Sequence, residues 1–205
     1  TLGYNTSSKI ASITGPTNIY SGESEVYSER GRYNTAIREA VLLDRSVIFN
    51  DKKEVTADSI YYDMRSGYSE AFGNIVYSDT INRNMLTGGY AYMNELVDSA
   101  YVTGRALVAD YSRNDTLFMH SDTIWTVSYN LGTDSLYRKV KAYNKVRAWG
   151  KEMQAVCDSL VFDSRDTCMT MYKDPILWNK DVQLFNNILV SIKAKNKVAT
   201  QNINK

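Results

Sequence analysis

The chain has 205 residues, 43% of them hydrophobic, and a formal net charge of +1. That is enough apolar material for one large domain or two small ones. It offers no excess of clustered lysine and arginine for a nucleic-acid backbone, and no run of 18 or more apolar residues for a transmembrane segment. Sixteen tyrosines against two prolines favour β-structure over loops or disorder. Thr1 opens the chain with no methionine and no charged-then-apolar leader, as expected of a processed or truncated product.

Residues 1–12 read as an N-terminal extension. Apolar alternation at period 2, the mark of half-buried strands, first shows in degenerate form as "LDRSVIF" (43–49). "VTADSIYY" (55–62) follows, with Val55, Ala57, Ile60 and Tyr62 on one face. After the turn piece "MRSG" comes "AFGNIVY", holding Ala71, Gly73, Asn74, Ile75 and Tyr77. The two halves then alternate down the chain. They return as "LTGGYAYM" (86–93), "VTGRALV" (102–108), "MHSDTIWT" (119–126), "AYNKVRA" (142–148), "AVCDSLVF" (155–162), "YKDPILW" (172–178) and "QLFNNILV" (183–190). No window longer than ten residues reads at period 3.6, so the chain is expected to be all-β. Residues 13–190 form a single expected domain of about five stacked two-strand repeats. Residues 191–205 are a basic tail or the start of a further repeat.

Asp58 interrupts the first alternation. Inward Ala57 and Ile60 are three apart, one residue more than a strict period allows. A β-bulge or corner supplies such a residue, bending the strand and increasing its twist. Asp, Asn and Gly suit that place because they tolerate the left-handed region or bond nearby N–H groups. The place recurs as Gly89, Asp122, Asp158 and Asn186, after 31, 33, 36 and 28 residues. These five are the candidate structural corners, and Asp58→Gly is expected to be milder than Asp58→Ala. The small inward residues before the corner (Ala57, Gly88, Ser121, Cys157) let two facing antiparallel sheets converge at one edge. Larger inward residues further out give a V-shaped section.

Cys157 and Cys168 match no zinc or redox spacing; unpaired thiols and a disulfide across a turn both fit. His120, the only histidine, faces away from Met119 and Ser121 and is expected in solvent. No Ser-His-Asp set, nucleophile elbow or phosphate loop can be read, so no catalytic residue is assigned and no enzyme is expected. Asp58, Asp122 and Asp158 could stack into a calcium column, but Gly89 interrupts it, and no metal or cofactor is assigned. Asp63, Glu70 and Asp163 are acids that stacked repeats could gather for glycoside hydrolysis; turns account for them better.

The stretches "VTADSIYYD" and "AFGNIVY", echoed by "HSDTIW", "AVCDSLVFD" and "AYNKV", resemble the repeat of the OstA/LptA-like family of lipopolysaccharide-transport proteins. The likeness covers roughly residues 13–190. It implies a periplasmic open β-jelly roll, or β-taco, in which an apolar groove shields the acyl chains of lipopolysaccharide or lipid A. It also implies modules that join end to end in a bridge toward the outer membrane. Under that resemblance Ile60, Tyr62, Ile75, Tyr77, Met93, Ile124, Leu160, Phe162 and Ile176 are the groove candidates; the bland alternative is that they fill a sandwich core. The leading reading is a non-enzymatic lipid-binding and bridging module. The runner-up is a solenoid-like surface protein that binds glycan or protein through a tyrosine-rich face.

Overall fold

The computed structural model describes residues 1–21, 24–50, 52–81, 83–112, 115–179, 182–186, 189–193 and 199–200, and every regular element among them is a β-strand. The chain divides into two compact units, Thr1–Leu96 and Val97–Lys205.

The first unit holds β1 (Leu2–Asn5), β2 (Ile10–Ile13), β3 (Thr17–Ser21), β4 (Ser24–Asn34), β5 (Glu39–Asn50), β6 (Lys53–Asp63), β7 (Tyr68–Asp79) and β8 (Asn84–Asn94). From β4 to β8 each strand pairs antiparallel with the next. β2 and β3 share β4 between them, and β1 adds to β2. Residues 1–12, read from sequence as an extension, therefore contribute β1 and most of β2 to the sheet.

Every long pairing slips register at mid-strand: between Ser28 and Arg30, Leu43 and Ser46, Thr56 and Ser59, and Phe72 and Ile75. An in-line series of bulges bends the whole sheet along one line, because each adds local twist at the same height. The two facing antiparallel layers expected from the sequence are made by one set of strands, since each long strand runs through the fold line and serves both. Leu42 and Ile60 lie on one side of that line, Ile48 and Val55 on the other. All four pack in one cluster with Ile13, Ala57, Ala71 and Ile75, so the two layers face each other. Burying each of the larger aliphatic side chains is worth about 1.5–3 kcal/mol.

The second unit repeats the plan with β9 (Ser99–Asp110), β10 (Leu117–Tyr129), β11 (Tyr137–Trp149), β12 (Met153–Asp163), β13 (Cys168–Tyr172), β14 (Ile176–Asn179), β15 (Val182–Phe185), β16 (Leu189–Lys193) and β17 (Ala199–Thr200). β9 to β12 pair in sequence, and the two halves of β12 are covered by β13 and β14. β15 pairs with β14, β16 with β13, and β17 with β16. Both prolines of the chain lie where a strand is interrupted, Pro16 between β2 and β3 and Pro175 between β13 and β14. A residue with no N–H fits a break in the ladder and nowhere inside it.

Candidate functional site: the folded apolar face

The fold line is built from unequal strands. On β5, β7, β9 and β11, and in the break between β13 and β14, two consecutive residues adopt positive φ. They are Asp44–Arg45, Gly73–Asn74, Gly104–Arg105, Asn144–Lys145 and Lys173–Asp174, with φ between 46° and 78°. Opposite each pair the neighbouring strand supplies one residue, Asp58 and Asp158 among them. Asp58, Gly89, Asp122, Asp158 and Asn186 do sit at the fold line, but none of them has positive φ. Of the two roles open to Asp58, the left-handed conformation is taken by its partners instead.

The aspartates act on those partners. Both carboxylate oxygens of Asp58 accept from Asn74 Nδ2, at 2.9 and 3.2 Å. A Cβ on Gly73 would stand 2.1 Å from Asp58 Oδ2, so glycine is required there for space as well as for φ. At the matching place Asp158 pairs with Lys173 at 3.2 Å and accepts from Ser159 Oγ at 2.9 Å; these bonds hold its carboxyl below the usual range. In the first unit Arg30 meets Asp44 at 2.8 Å across the fold line. Asn186 N donates to Pro175 O at 3.3 Å, as Asp158 N does to Lys173 O. Among the described residues no group of three or more His, Cys, Asp or Glu side chains could hold a metal.

Of the small residues before the corner, Ala57, Ser121 and Cys157 are buried and Gly88 is half-buried; Ser28 takes that place on β4, and two of these side chains also bond. Ser28 Oγ donates to Arg30 O at 2.8 Å, and Ser121 Oγ to Thr123 O at 2.9 Å, each spanning the bulge. Both side chains are fully buried. A buried carbonyl loosened by a bulge needs such a donor. Cys157 occupies the equivalent place on β12; burial pushes its thiol up to about 11, and both cysteines are free.

Inward residues form cross-strand rows parallel to the fold line. In the first unit one row runs Ile13, Gly31, Leu42, Ile60, Ala71, Ala91. The row outside it runs Ala11, Tyr33, Ala40, Tyr62, Ser69, Met93. Beyond the line, Val26, Ile48, Val55, Tyr77 and Leu86 make the facing row. The second unit has Val102, Ile124, Ala142, Leu160, Met171, Val190, and outside it Ala100, Thr126, Val140, Phe162, Met169. Exposure grades across the rows. Ile60, Ile75, Ile124 and Leu160 are 2–4% exposed, Tyr62, Tyr77 and Phe162 are half-buried, and Met93 is 39% exposed. The face is closed against itself at the fold line and reaches solvent at its lips.

Ile176 departs from the expected set. It pairs with Val156 on the outward face, whereas Leu177, opposite buried Ala155, points inward and is 4% exposed. The last repeat is offset by one residue from the sequence pattern: Lys173 stands in Gly73's place, and Pro175 in that of Ile75.

Acids with other candidate roles are engaged structurally. Asp63 accepts from the Arg65 N–H and from Ser66 Oγ, both at 2.9 Å, and Asp163 from the Arg165 N–H at 3.0 Å. Asn5, Asn34 and Asn94 make the same turn bond to the N–H two residues on. An Asn or Asp every 29 to 31 residues at 5, 34, 63 and 94 is a second repeat, missed from sequence, and it marks the hairpin ends. Glu70 lies on the outward face and accepts from Tyr90 Oη; the rings of Tyr61, Tyr68 and Tyr92 adjoin it. His120 is half-buried on the outward face between Leu107 and Arg147.

No protein-family model matches the chain, and no curated protein matches it. Among solved structures it is similar to LptH of Pseudomonas aeruginosa, described as the LptA-homologous periplasmic component of the conserved lipopolysaccharide transport device. The two are 14% identical, and the match covers 68% of this chain and 93% of that one with a TM-score of 0.48.

Proposed function

We propose that the chain is a non-enzymatic periplasmic module that shields lipid acyl chains on its inward face and passes them to like modules. The observation that supports this reading is the grading of the inward rows in each unit. Apolar side chains run from a buried fold line out to half-exposed tyrosine, phenylalanine and methionine at the lips. A sealed cavity would hold its cargo too tightly to release it, whereas these rows open to solvent at the lips. Each buried methylene contributes about 0.8 kcal/mol, so one long acyl chain would gain on the order of 10 kcal/mol. In this closed state the two layers touch, so a chain would insert by parting the lips about the bulges. Lipopolysaccharide as cargo, the periplasm as location and like modules as neighbours are what the repeat's resemblance implies.

A benzophenone amino acid at Tyr62 or Phe162 should capture lipopolysaccharide or lipid A on irradiation. The same group at Tyr61 or Val161, one residue along and on the outward face, should capture little. Equal capture from both faces would sink the proposal.

A further inference from the structure

On the outward face of the second unit, five adjacent strands line up Phe118, Trp149, Gln154, Trp178 and Gln183 as direct cross-strand neighbours. Trp149 is 40% exposed and Trp178 37%; both glutamines are exposed. Phe118 stacks on Trp149 at 5.4 Å between centroids and 16° between planes. It covers one face of that indole, and Gln154 and Trp178 follow on the next two strands. Two strand spacings separate the indoles, about 10 Å, which leaves room for a ring between them. A cleft lined by Lys151, Glu152, Met153, Gln154 and Trp178 extends the strip at the β11–β12 turn. That turn is held rigidly, with Gly150 N donating to Met153 O at 2.8 Å and Lys151 N to Asp115 Oδ2 at 2.7 Å.

The composition of the strip selects its ligand. No residue of the row is charged; at its end Lys151 and Glu152 are of opposite sign and the Asp115 carboxylate is engaged by the Lys151 N–H, so the row itself selects neither an anion nor a cation. Indole faces offer flat apolar contact with an N–H at one edge. A carboxamide both donates and accepts, as a sugar hydroxyl does. Alternation of ring and amide therefore matches a chain of pyranose rings, each with an apolar C–H face and a rim of hydroxyls. We infer that this strip is a binding site for a neutral oligosaccharide of hexopyranose units. It lies on the opposite face from the lipid-handling rows and stands or falls independently of them.

The whole chain carries three tryptophans, so indole N–H resonances report the site directly. Titration with maltohexaose and with chitohexaose should shift the Trp149 and Trp178 signals and leave Trp125, which lies under Lys141 Nζ at 5.0 Å, in place. Trp178→Ala should weaken binding of the responding sugar by about tenfold or more, the loss of one stacking contact, while Trp178→Phe keeps most of it. Trp125→Ala should bind as the parent does. The inference is overturned if neither sugar moves an indole signal at millimolar concentration, or if Trp178→Ala binds unchanged. It is equally overturned if the substitution alters only self-association, which would make the strip a contact between copies. Lipid capture at Tyr62 in the Trp178→Ala background separates this outcome from failure of the lipid reading.

Discussion

At the scale of single residues, the fold line sets the sharpest constraints. Gly73→Ala would place a methyl group 2.1 Å from Asp58 Oδ2 at a φ of +70°, and should cost about 1–3 kcal/mol by thermal melt. Part of that loss should return in the double variant with Asp58→Ala, which removes the opposing carboxylate; strict additivity would contradict the contact. Asp58→Ala alone should cost about 1 kcal/mol, the worth of a lost side-chain bond. Asp58→Gly should be at least as costly, the reverse of the expectation from sequence, because Asp58 has no positive φ for glycine to relieve. Asp158 adds a pH dependence. Ser159 and Lys173 lower its pKa below the ordinary 3.8, so its stabilising contribution is complete above that value and fades as pH falls through the folded value. Asp158→Asn should therefore narrow the gap between melting temperatures at pH 5 and pH 3; an unchanged gap would show that the pair contributes nothing.

At the scale of elements, the register of the last repeat distinguishes two otherwise similar residues. Leu177→Ala, on the inward face opposite Ala155, should cost about 2–5 kcal/mol. Ile176→Ala, on the outward face, should cost far less, and denaturant midpoints of the two variants would reverse if the expected alignment were right. β12 and its other partner β13 separate the two thiols. Cys157 is buried on β12 with its thiol pushed up to about 11, whereas Cys168 is half-buried and lies 2.9 Å from Ser191 Oγ. Maleimide labelling followed by mass measurement should modify Cys168 alone in the folded protein and both cysteines after denaturation. Strand existence was legible because the alternation of Val, Ile, Tyr and Thr persists through every repeat. Register across a bulge was not, since a slip of one residue leaves the local pattern equally apolar on either face, as Ile176 and Leu177 illustrate.

At the scale of the molecule, the sheet in each unit ends in short strands paired on one side among the described residues, β1 and β3 in the first, β15 and β17 in the second. β4, which spans "SEVYSERGRY", is interior, with β2 and β3 on one side and β5 on the other. Tyr20 on β3 and Phe185 on β15 are 69% and 65% exposed, and apolar edges of that kind invite pairing with another chain. The first 96 residues carry nine Lys and Arg against twelve Asp and Glu; the remainder carry fifteen against eleven. Unlike charges favour head-to-tail contact between copies over symmetric pairing. Light scattering should show association that rises with concentration and falls with salt. Tyr20→Lys with Phe185→Lys should suppress it without changing the far-UV spectrum, and association indifferent to both substitutions would place the contact elsewhere.

Reading along the chain is enough to establish an all-β protein built from stacked two-strand repeats, each interrupted by an extra residue. Those properties are local: alternation, turn chemistry and one supernumerary residue are written within a few positions of one another. Tertiary structure decided which strand carries the strain at each bend, because two residues of one strand are set against one of its neighbour only after pairing. It also decided that the two layers are one folded sheet and that β4 is interior. The row of Phe118, Trp149, Gln154, Trp178 and Gln183, whose members span 66 positions, exists only through register. Hydrogen bonds between strands fix that register, and no stretch of a single strand contains it.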